Sequence, residues 1–468
     1  MKLTIEPNAP KLSADWTQVR FVLRDQRKKL LPATTEQEFS GRANATLHFL
    51  SERVFCVGLG ERAGLSAAVV RAAAGTATLA LKKLGRLRLA FDLEGFSEFA
   101  GAAVEGAVVA DYRFDRFTTK KNAALIALHV HVARDQLAAA RKSAARGRIV
   151  GESINAARAI GNLPGNVLFP ETLAQHAAKL ARAAKLKLTV FDERTLRARG
   201  FGGILAVGQG SVRPPRFIIL EHRGGPKSQP PIALVGKAVT FDTGGISIKP
   251  AANMEDMIFD KCGGIAVLGA MAALARLGVK RNVVGLIASA ENMPGGNAYR
   301  PGDIVTTYDG KHIEIINTDA EGRVVLADAI AYARRDLKAS AIVDLATLTG
   351  ACCVALGEYA AGLFDNDEPL RKALLTAAEA AGERLWPLPI FPEHEEQIAS
   401  DVALIKNSGG RLGGASTGAA FLKTFAEKTP WAHLDIAPVG HTSKDRNGVA
   451  RGATGFGVRT LVEFIERA

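Results

Sequence analysis

Ile232-Ala233-Leu234-Val235-Gly236-Lys237-Ala238-Val239-Thr240-Phe241-Asp242-Thr243-Gly244-Gly245 is the stretch on which the fold turns. Its opening apolar run, too short for a helix, reads as a strand over 232–235 and spills into a glycine-rich loop. Further strand-like runs lie at 186–191, 216–221, 283–288 and 341–345, with helical patterns near 262–277, 323–335 and 367–381. This alternation predicts an α/β domain around a mixed, mostly parallel sheet. Ligands of such sheets collect in loops beyond the carboxyl ends of the strands, which is where the loop after residue 235 falls.

Toward the N-terminus a smaller α/β block is expected. Strands read at 53–57, 87–92 and 124–132, with helices at 66–84 and 99–110 between them. Gly58-Leu59-Gly60 follows the first strand, but the next glycine, Gly64, arrives one position late for a GxGxxG nucleotide loop, so the segment reads as a turn. A helical stretch at 141–160 runs into Asn162-Leu163-Pro164-Gly165-Asn166, and Pro170, Glu171 and Thr172 open the next helix. The expected division is an N-terminal basic α/β domain over 1–150, a linker helix and turn over 151–164, and a larger α/β catalytic domain over 165–468. No internal repeat or low-complexity tract interrupts this order.

A length of 468 residues fits two to three units of about 150 residues each. With 47% hydrophobic and 23% charged residues the composition is globular, excluding disordered and fibrous classes. The longest charge-free stretch is 14 residues, Cys262 to Ala275, short of the roughly 18 to 20 needed to cross a bilayer, so no membrane role is expected. Glu6 and Pro7 stand where a secretory signal would carry its apolar core. Four cysteines, two of them adjacent at Cys352 and Cys353, form neither a disulfide framework nor a CxxC pair; a reducing cytoplasm fits.

The net charge of +13 is concentrated in the front third, where residues 1–150 hold 24 Lys and Arg against 14 Asp and Glu. Its clusters are Arg24, Arg27, Lys28 and Lys29; Lys82, Lys83, Arg86 and Arg88; and Arg141, Lys142, Arg146 and Arg148. A basic face of this kind serves either as a solubilising surface or as a track for DNA phosphates through counterion release. No aromatic platform or named DNA-binding motif accompanies the charge.

Three segments can carry chemistry. Asp242 before Thr243-Gly244 reads as a turn-forming aspartate or as a ligand. Lys237, just past an apolar strand, must snorkel out or meet an anion or a metal. Asp260 follows Glu255 and Asp256 ahead of a long apolar helix, whose N-terminus favours acids in any case. In Asn317-Thr318-Asp319-Ala320-Glu321-Gly322-Arg323, a capping box accounts for Thr318 and Glu321 but leaves Asp319 and Arg323 unexplained. If Asp242, Asp260, Asp319 and Glu321 converge in a poorly solvated cleft, their mutual repulsion calls for divalent cations. Oxygen ligation suits Mg²⁺ and Mn²⁺ with Zn²⁺ open, and a pair of ions is the usual hydrolytic arrangement. A two-metal phosphoesterase would share these carboxylates. HExxH is absent, and no GxSxG follows a strand as a nucleophile elbow does. His433, in Trp431-Ala432-His433-Leu434-Asp435-Ile436-Ala437, reads as structural, and Gly409-Gly410-Arg411-Leu412-Gly413-Gly414 as a cleft wall or a subunit contact.

The runs 235–250 and 317–323, the second reading NTDAEGR, resemble the leucyl aminopeptidase (cytosol aminopeptidase) family of dinuclear-metal exopeptidases. The similarity continues through Glu291-Asn292-Met293, residues 296–303 and 345–350, and the WAHLDIA segment, and covers 165–468. It implies that Lys237, Asp242, Asp260 and Glu321 hold one metal, and Asp242, Asp319 and Glu321 the other. Lys249 would act as electrophile and Arg323 would hold a bicarbonate base. Met257, Thr347, Leu348 and Gly350 would receive the first side chain, leucine-like by preference, with Ala450 or its neighbours nearby. The resemblance further implies two divalent ions per subunit, Mn²⁺ or Zn²⁺ with Mg²⁺ open, peptide substrates, a homohexamer and a macro-like first domain. Lys261, directly after Asp260, departs from the apolar residue expected there and is expected to point away from the metals.

Overall fold

The computed structural model describes residues 1–7, 15–30 and 37–468, with residues 29 and 30 described by their backbone alone. The chain divides into unit 1, Met1–Asn155 with Ala380–Gly382 and Thr442–Gly452, and unit 2, Ala156–Glu379, Glu383–His441 and Ala453–Ala468.

Unit 1 is built on six strands: β1 (Lys2–Glu6), β2 (Thr17–Leu23), β3 (Thr46–Phe49), β4 (Val54–Gly60), β5 (Arg88–Asp92) and β6 (Ala127–His131), in the order β1-β6-β5-β2-β4-β3. All neighbours are parallel except the edge pair β3 and β4. Gly58-Leu59-Gly60 is no turn. It completes β4, because its backbone passes so close to the preceding loop that a Cβ on Gly58 would sit 2.1 Å from the Arg42 carbonyl oxygen. Helices Ala67–Lys83 and Ala100–Asp111 bury small and branched side chains against the sheet. The basic clusters are partly neutralised. Arg24 meets Glu61 at 2.9 Å, Lys82 meets Asp111 at 2.6 Å, Lys83 meets Asp445 at 3.1 Å, Arg88 meets Asp15 at 2.7 Å and Arg148 meets Glu152 at 2.7 Å. The side chain of Lys29 lies outside the described residues.

Unit 2 contains the larger sheet. Its strands are β7 (Lys187–Phe191), β8 (Arg216–Arg223), β9 (Ile232–Asp242), β10 (Asn282–Asn292), β13 (Ala341–Ala346), β14 (Ala361–Asp365), β15 (Leu385–Pro387) and β17 (Trp431–Asp435). The short strands β11 (Ile304–Thr306), β12 (His312–Glu314) and β16 (Ile405–Lys406) form a separate three-stranded sheet. The large sheet runs β15-β14-β17-β13-β9-β10-β8-β7. Its centre, β17-β13-β9-β10, is parallel, and antiparallel pairs flank it. Helices cover both faces of the central strands, which is why β9 and β10 read as nearly continuous apolar runs. One cover is helix Cys262–Leu277, which lies so close that a Cβ on Gly236 would sit 2.5 Å from the Gly264 Cα. Only glycine permits that approach, and it places the start of the helix beside Lys237. The stretch Met254–Leu277 has the length and apolarity to cross a bilayer, yet 83% of its apolar window is buried inside the protein, as befits a core helix. Because the four central strands point the same way, their carboxyl ends deliver Asp242, Asn292, Thr347 and Asp435 to one edge of the sheet.

Candidate metal centre

β9 does not stop at Val235. It continues through Lys237 to Asp242 with every residue but Phe241 buried. A lysine inside a core strand needs anionic partners, and Lys237 Nζ finds Asp260 at 2.7 Å and Glu321 at 2.8 Å, with the Thr347 carbonyl at 2.9 Å. Burial alone would pull its pKa down, but the charges of Asp260, Glu321 and Asp242 outweigh that cost and raise it. Thr347 Oγ1 donates to Asp260 Oδ1 at 2.8 Å. The other oxygen, Asp260 Oδ2, is buried without a hydrogen-bond partner. Burial lifts the Asp260 carboxyl well above the usual carboxylate range; Lys237 opposes the shift, and Glu321 and Asp242 add to it.

Lys249 forms the second pairing, with Asp242 Oδ2 at 2.8 Å and with Asp319 at short range. Burial acts against its ammonium, but Asp242, Glu321 and Asp319 hold the pKa above that of a free lysine. Asp319 is itself pushed up to about 6 by burial and by the charges of Asp242 and Glu321. Ligand oxygens of Asp242, Asp319 and Glu321 lie within 4.8 Å of one another. Four carboxylates, one with an orphaned buried oxygen, around two amines form a donor set that suits hard or borderline divalent cations. A cleft of about 550 Å³ opens beside this cluster, lined by Ser247, Ile248, Lys249, Pro250, Asn317 and Asp319 among others. Ser408 and Gly410 complete its wall, which places the 409–414 run at the cleft.

Local backbone explains why the acids converge. Asp242 Oδ1 accepts the Gly244 N–H at 2.9 Å, so the turn-forming reading holds alongside the site geometry. The capping box, by contrast, is absent. Helix Glu321–Arg335 begins after Ala320, and Thr318 Oγ1 donates instead to the Gly244 carbonyl at 2.6 Å, because the 317–320 turn docks on the glycine loop rather than on its own helix. Gly322 leaves room for the Lys237 side chain, since a Cβ there would lie 2.6 Å from Lys237 Cε. Arg323 is buried, with Nη1 donating to the Asn407 carbonyl at 3.0 Å and Nε buried without a partner. Burial lowers its pKa to about 10, against the pull of Glu321 and Asp435.

The remaining expected residues separate clearly. Met257 sits half-buried in the 3₁₀ turn Met254–Phe259, and Gly350 opens helix Gly350–Leu356. The Leu348 N–H donates to Asp435 Oδ1 at 3.1 Å. Ala450 belongs to unit 1, where it is buried. Lys261 is fully buried, and its Nζ is turned to the Leu163 carbonyl at 3.0 Å and, at short range, to that of Ile258. Burial draws its pKa down to about 8. His433 sits inside β17, with Nδ1 2.6 Å from Asp344 Oδ1, and is stacked near Phe364 and Trp431, a core arrangement. Asn292, Asn407 and Asp435 took no role in the sequence reading, although Asn292 and Asp435 stand inside quoted motifs. The signal that could have found them is a buried polar residue at a strand end.

Residues 155–462 match the cytosol aminopeptidase family, catalytic domain, and residues 18–121 match the family's N-terminal domain. A probable cytosol aminopeptidase of Roseiflexus castenholzii is 46% identical over 444 residues, spanning 92% of this chain and 91% of the relative. Another from Syntrophotalea carbinolica is 43% identical over 446 residues, spanning 92% and 90%. Among solved structures, the bottromycin maturation enzyme BotP in complex with Mn is similar with a TM-score of 0.86 at 35% identity, covering 97% of this chain and 99% of that one. These likenesses decide against the phosphoesterase reading. The chain belongs to the cytosol aminopeptidase family and is a metalloexopeptidase, a hydrolase that removes residues from the N-termini of peptides.

Proposed function

We propose that Lys237, Asp242, Asp260 and Glu321 hold one divalent cation and Asp242, Asp319 and Glu321 a second, with leucine-like N-terminal residues as the preferred substrates. The observation that carries this reading is the convergence of the four carboxylates on two lysines, with Asp260 Oδ2 left unpartnered. When bound, such a pair supplies Lewis acidity, a hydrolytic water of lowered pKa and an acceptor for a free α-amine, which confines cleavage to the chain end. The Mn in the BotP structure supports Mn²⁺, and Zn²⁺ suits the same donors.

The protein's own groups then divide the work. Lys249 keeps its ammonium beside the cleft, where it stabilises negative charge developing on the scissile carbonyl oxygen. The buried Arg323 guanidinium, with Nε free of partners, suits a small anion and would hold bicarbonate, which would supply a base at the site. Met257, Thr347, Leu348 and Gly350 form the wall against which the first side chain packs. Residues 165–468 make up the catalytic domain in this proposal, 151–164 the linker and 1–150 the macro-like domain, in a cytoplasmic homohexamer.

Hydrolysis of leucyl p-nitroanilide with added Mn²⁺ tests the assignment. Glu321→Ala and Asp260→Ala are expected to lose more than about 100-fold in rate, the upper end of what outer partners of a metal site cost. Undiminished turnover in either variant refutes it. Light scattering checks the assembly, and a mass near that of one 49.5 kDa chain would refute the hexamer. A second reading gives unit 1 a DNA-binding role, favoured by the surplus of 24 basic over 14 acidic residues in 1–150. Duplex retention on filters should then fall steeply with salt, and no retention at about 0.1 M ends the idea.

A further inference from the structure

Asn292, the last residue of β10, is fully buried and faces two segments of the candidate metal centre at once. Its Nδ2 donates to Asp242 Oδ1 at 2.7 Å and to the Thr318 carbonyl at 3.0 Å. Its own carbonyl accepts the Thr243 N–H at 3.0 Å and the Thr243 hydroxyl at 2.9 Å. The strand pairing is shaped to allow this, since the β9–β10 register shifts between Ala290 and Asn292 and leaves Asn292 opposite Asp242. The amide orientation follows from chemistry. Turned the other way, it would set an oxygen against the Asp242 carboxylate and the Thr318 carbonyl, both acceptors. Gly245 makes room on the far side, where a Cβ would stand 2.8 Å from Asn292 Oδ1.

We infer that Asn292 is a positioning residue that fixes the separation and orientation of the Asp242 and Asp319 carboxylates for the cations they are proposed to bind. One side chain ties the carboxylate at the end of β9 to the backbone immediately before Asp319. Tyr299 adds a second donor to the same Thr318 carbonyl at 2.9 Å. With Oδ1 of Asp242 held by Asn292 and by the Gly244 N–H, Oδ2 is the oxygen left to face a cation, as it faces Lys249 here. The choice of an amide matters. A neutral donor orients the carboxylate without cancelling the charge a divalent ion must find, as a lysine or arginine in its place would. The inference rests on the metal reading of Asp242 and Asp319.

Mn²⁺ uptake by the full chain, measured by calorimetry and by elemental analysis after dialysis, tests it. Asn292→Ala is expected to raise the Mn²⁺ dissociation constant by about 10- to 100-fold. The KM for leucyl p-nitroanilide should stay near wild type, with the rate recovering as Mn²⁺ is raised to saturation. Asn292→Ser, which keeps one short donor and perturbs packing less, should weaken Mn²⁺ binding in the same direction. It serves as the test if the alanine variant does not fold. A folded variant that binds Mn²⁺ as tightly as wild type overturns the inference while the metal reading stands. A wild-type chain that takes up no Mn²⁺ overturns the metal reading, and this inference with it.

Discussion

The two lysines of the site have the same partners in kind and opposite surroundings. Lys237 and Lys249 each bridge two carboxylates, but the Lys237 side chain is 3% exposed and Lys249 21% exposed, on the wall of the cleft. The Lys237 cluster is a sealed charge pair of the kind that costs more to bury than its attraction returns, unless every charge is answered. Lys249 reaches the cleft and can meet a substrate. Burial, more than residue type, separates the two amines: one is enclosed among its carboxylates and the other is open to the cleft.

The sharpest way to break this comparison is to remove each amine in turn. Lys237→Met leaves Asp260 and Glu321 buried without a cation, so metal-free protein should lose about 3–5 kcal/mol in urea unfolding. Lys249→Met should cost less, about 1 kcal/mol, because water can solvate Asp319 in its absence while the Gly244 N–H and the Asn292 amide still hold Asp242. Equal losses would dissolve the distinction. Lys249→Ala should instead lower kcat by about 10²–10³ with KM little changed, the cost of deleting one stabiliser of a developing oxyanion. Mn²⁺ calorimetry in two buffers of different ionisation enthalpy sharpens the contrast further. Lys237 carries its proton in the metal-free chain and must release it to become a ligand, so protons should leave on loading, and Lys237→Met should change their number.

The same residue shows why sequence reading reached only part of the way. A lysine normally ends a buried strand, so from sequence β9 reads as stopping at 235. The partners that retain Lys237, Asp260 and Glu321, lie 23 and 84 positions away in the chain and come near only after folding. The central strands were legible because strands covered on both faces are unbroken apolar runs. β1, KLTIE, and β2, TQVRFVL, mix polar residues into short segments and gave no such pattern. Helix Gly414–Ala426 starts inside a glycine run that reads as loop, which hid it. The acids themselves stood out as charges at element ends, but the roles of Asn292 and Asp435 are set by partners 50 and 86 residues distant.

A buried carboxylate with no cation at all extends the comparison. Asp328, on the same helix as Glu321, is fully buried, and its oxygens accept the Ile204 N–H at 2.8 Å and the Tyr308 N–H at 2.7 Å. Burial raises its pKa from 3.8 to about 7, while the N–H donors of Ile204, Tyr308 and Gly203 pull the other way. Because the folded pKa is raised, the folded chain keeps a proton that the unfolded chain has already lost within that window. Stability is fullest below it and declines as pH rises from about 4 toward 7. With three donors opposing the shift, the decline from this group between pH 5 and 7 should be on the order of 1–2 kcal/mol. Urea midpoints at the two pH values measure it, with Asp328→Asn as the control that cannot titrate. If the variant and wild type show the same slope, Asp328 is ionised throughout, and backbone N–H groups answer a buried charge in this fold as fully as the lysines do.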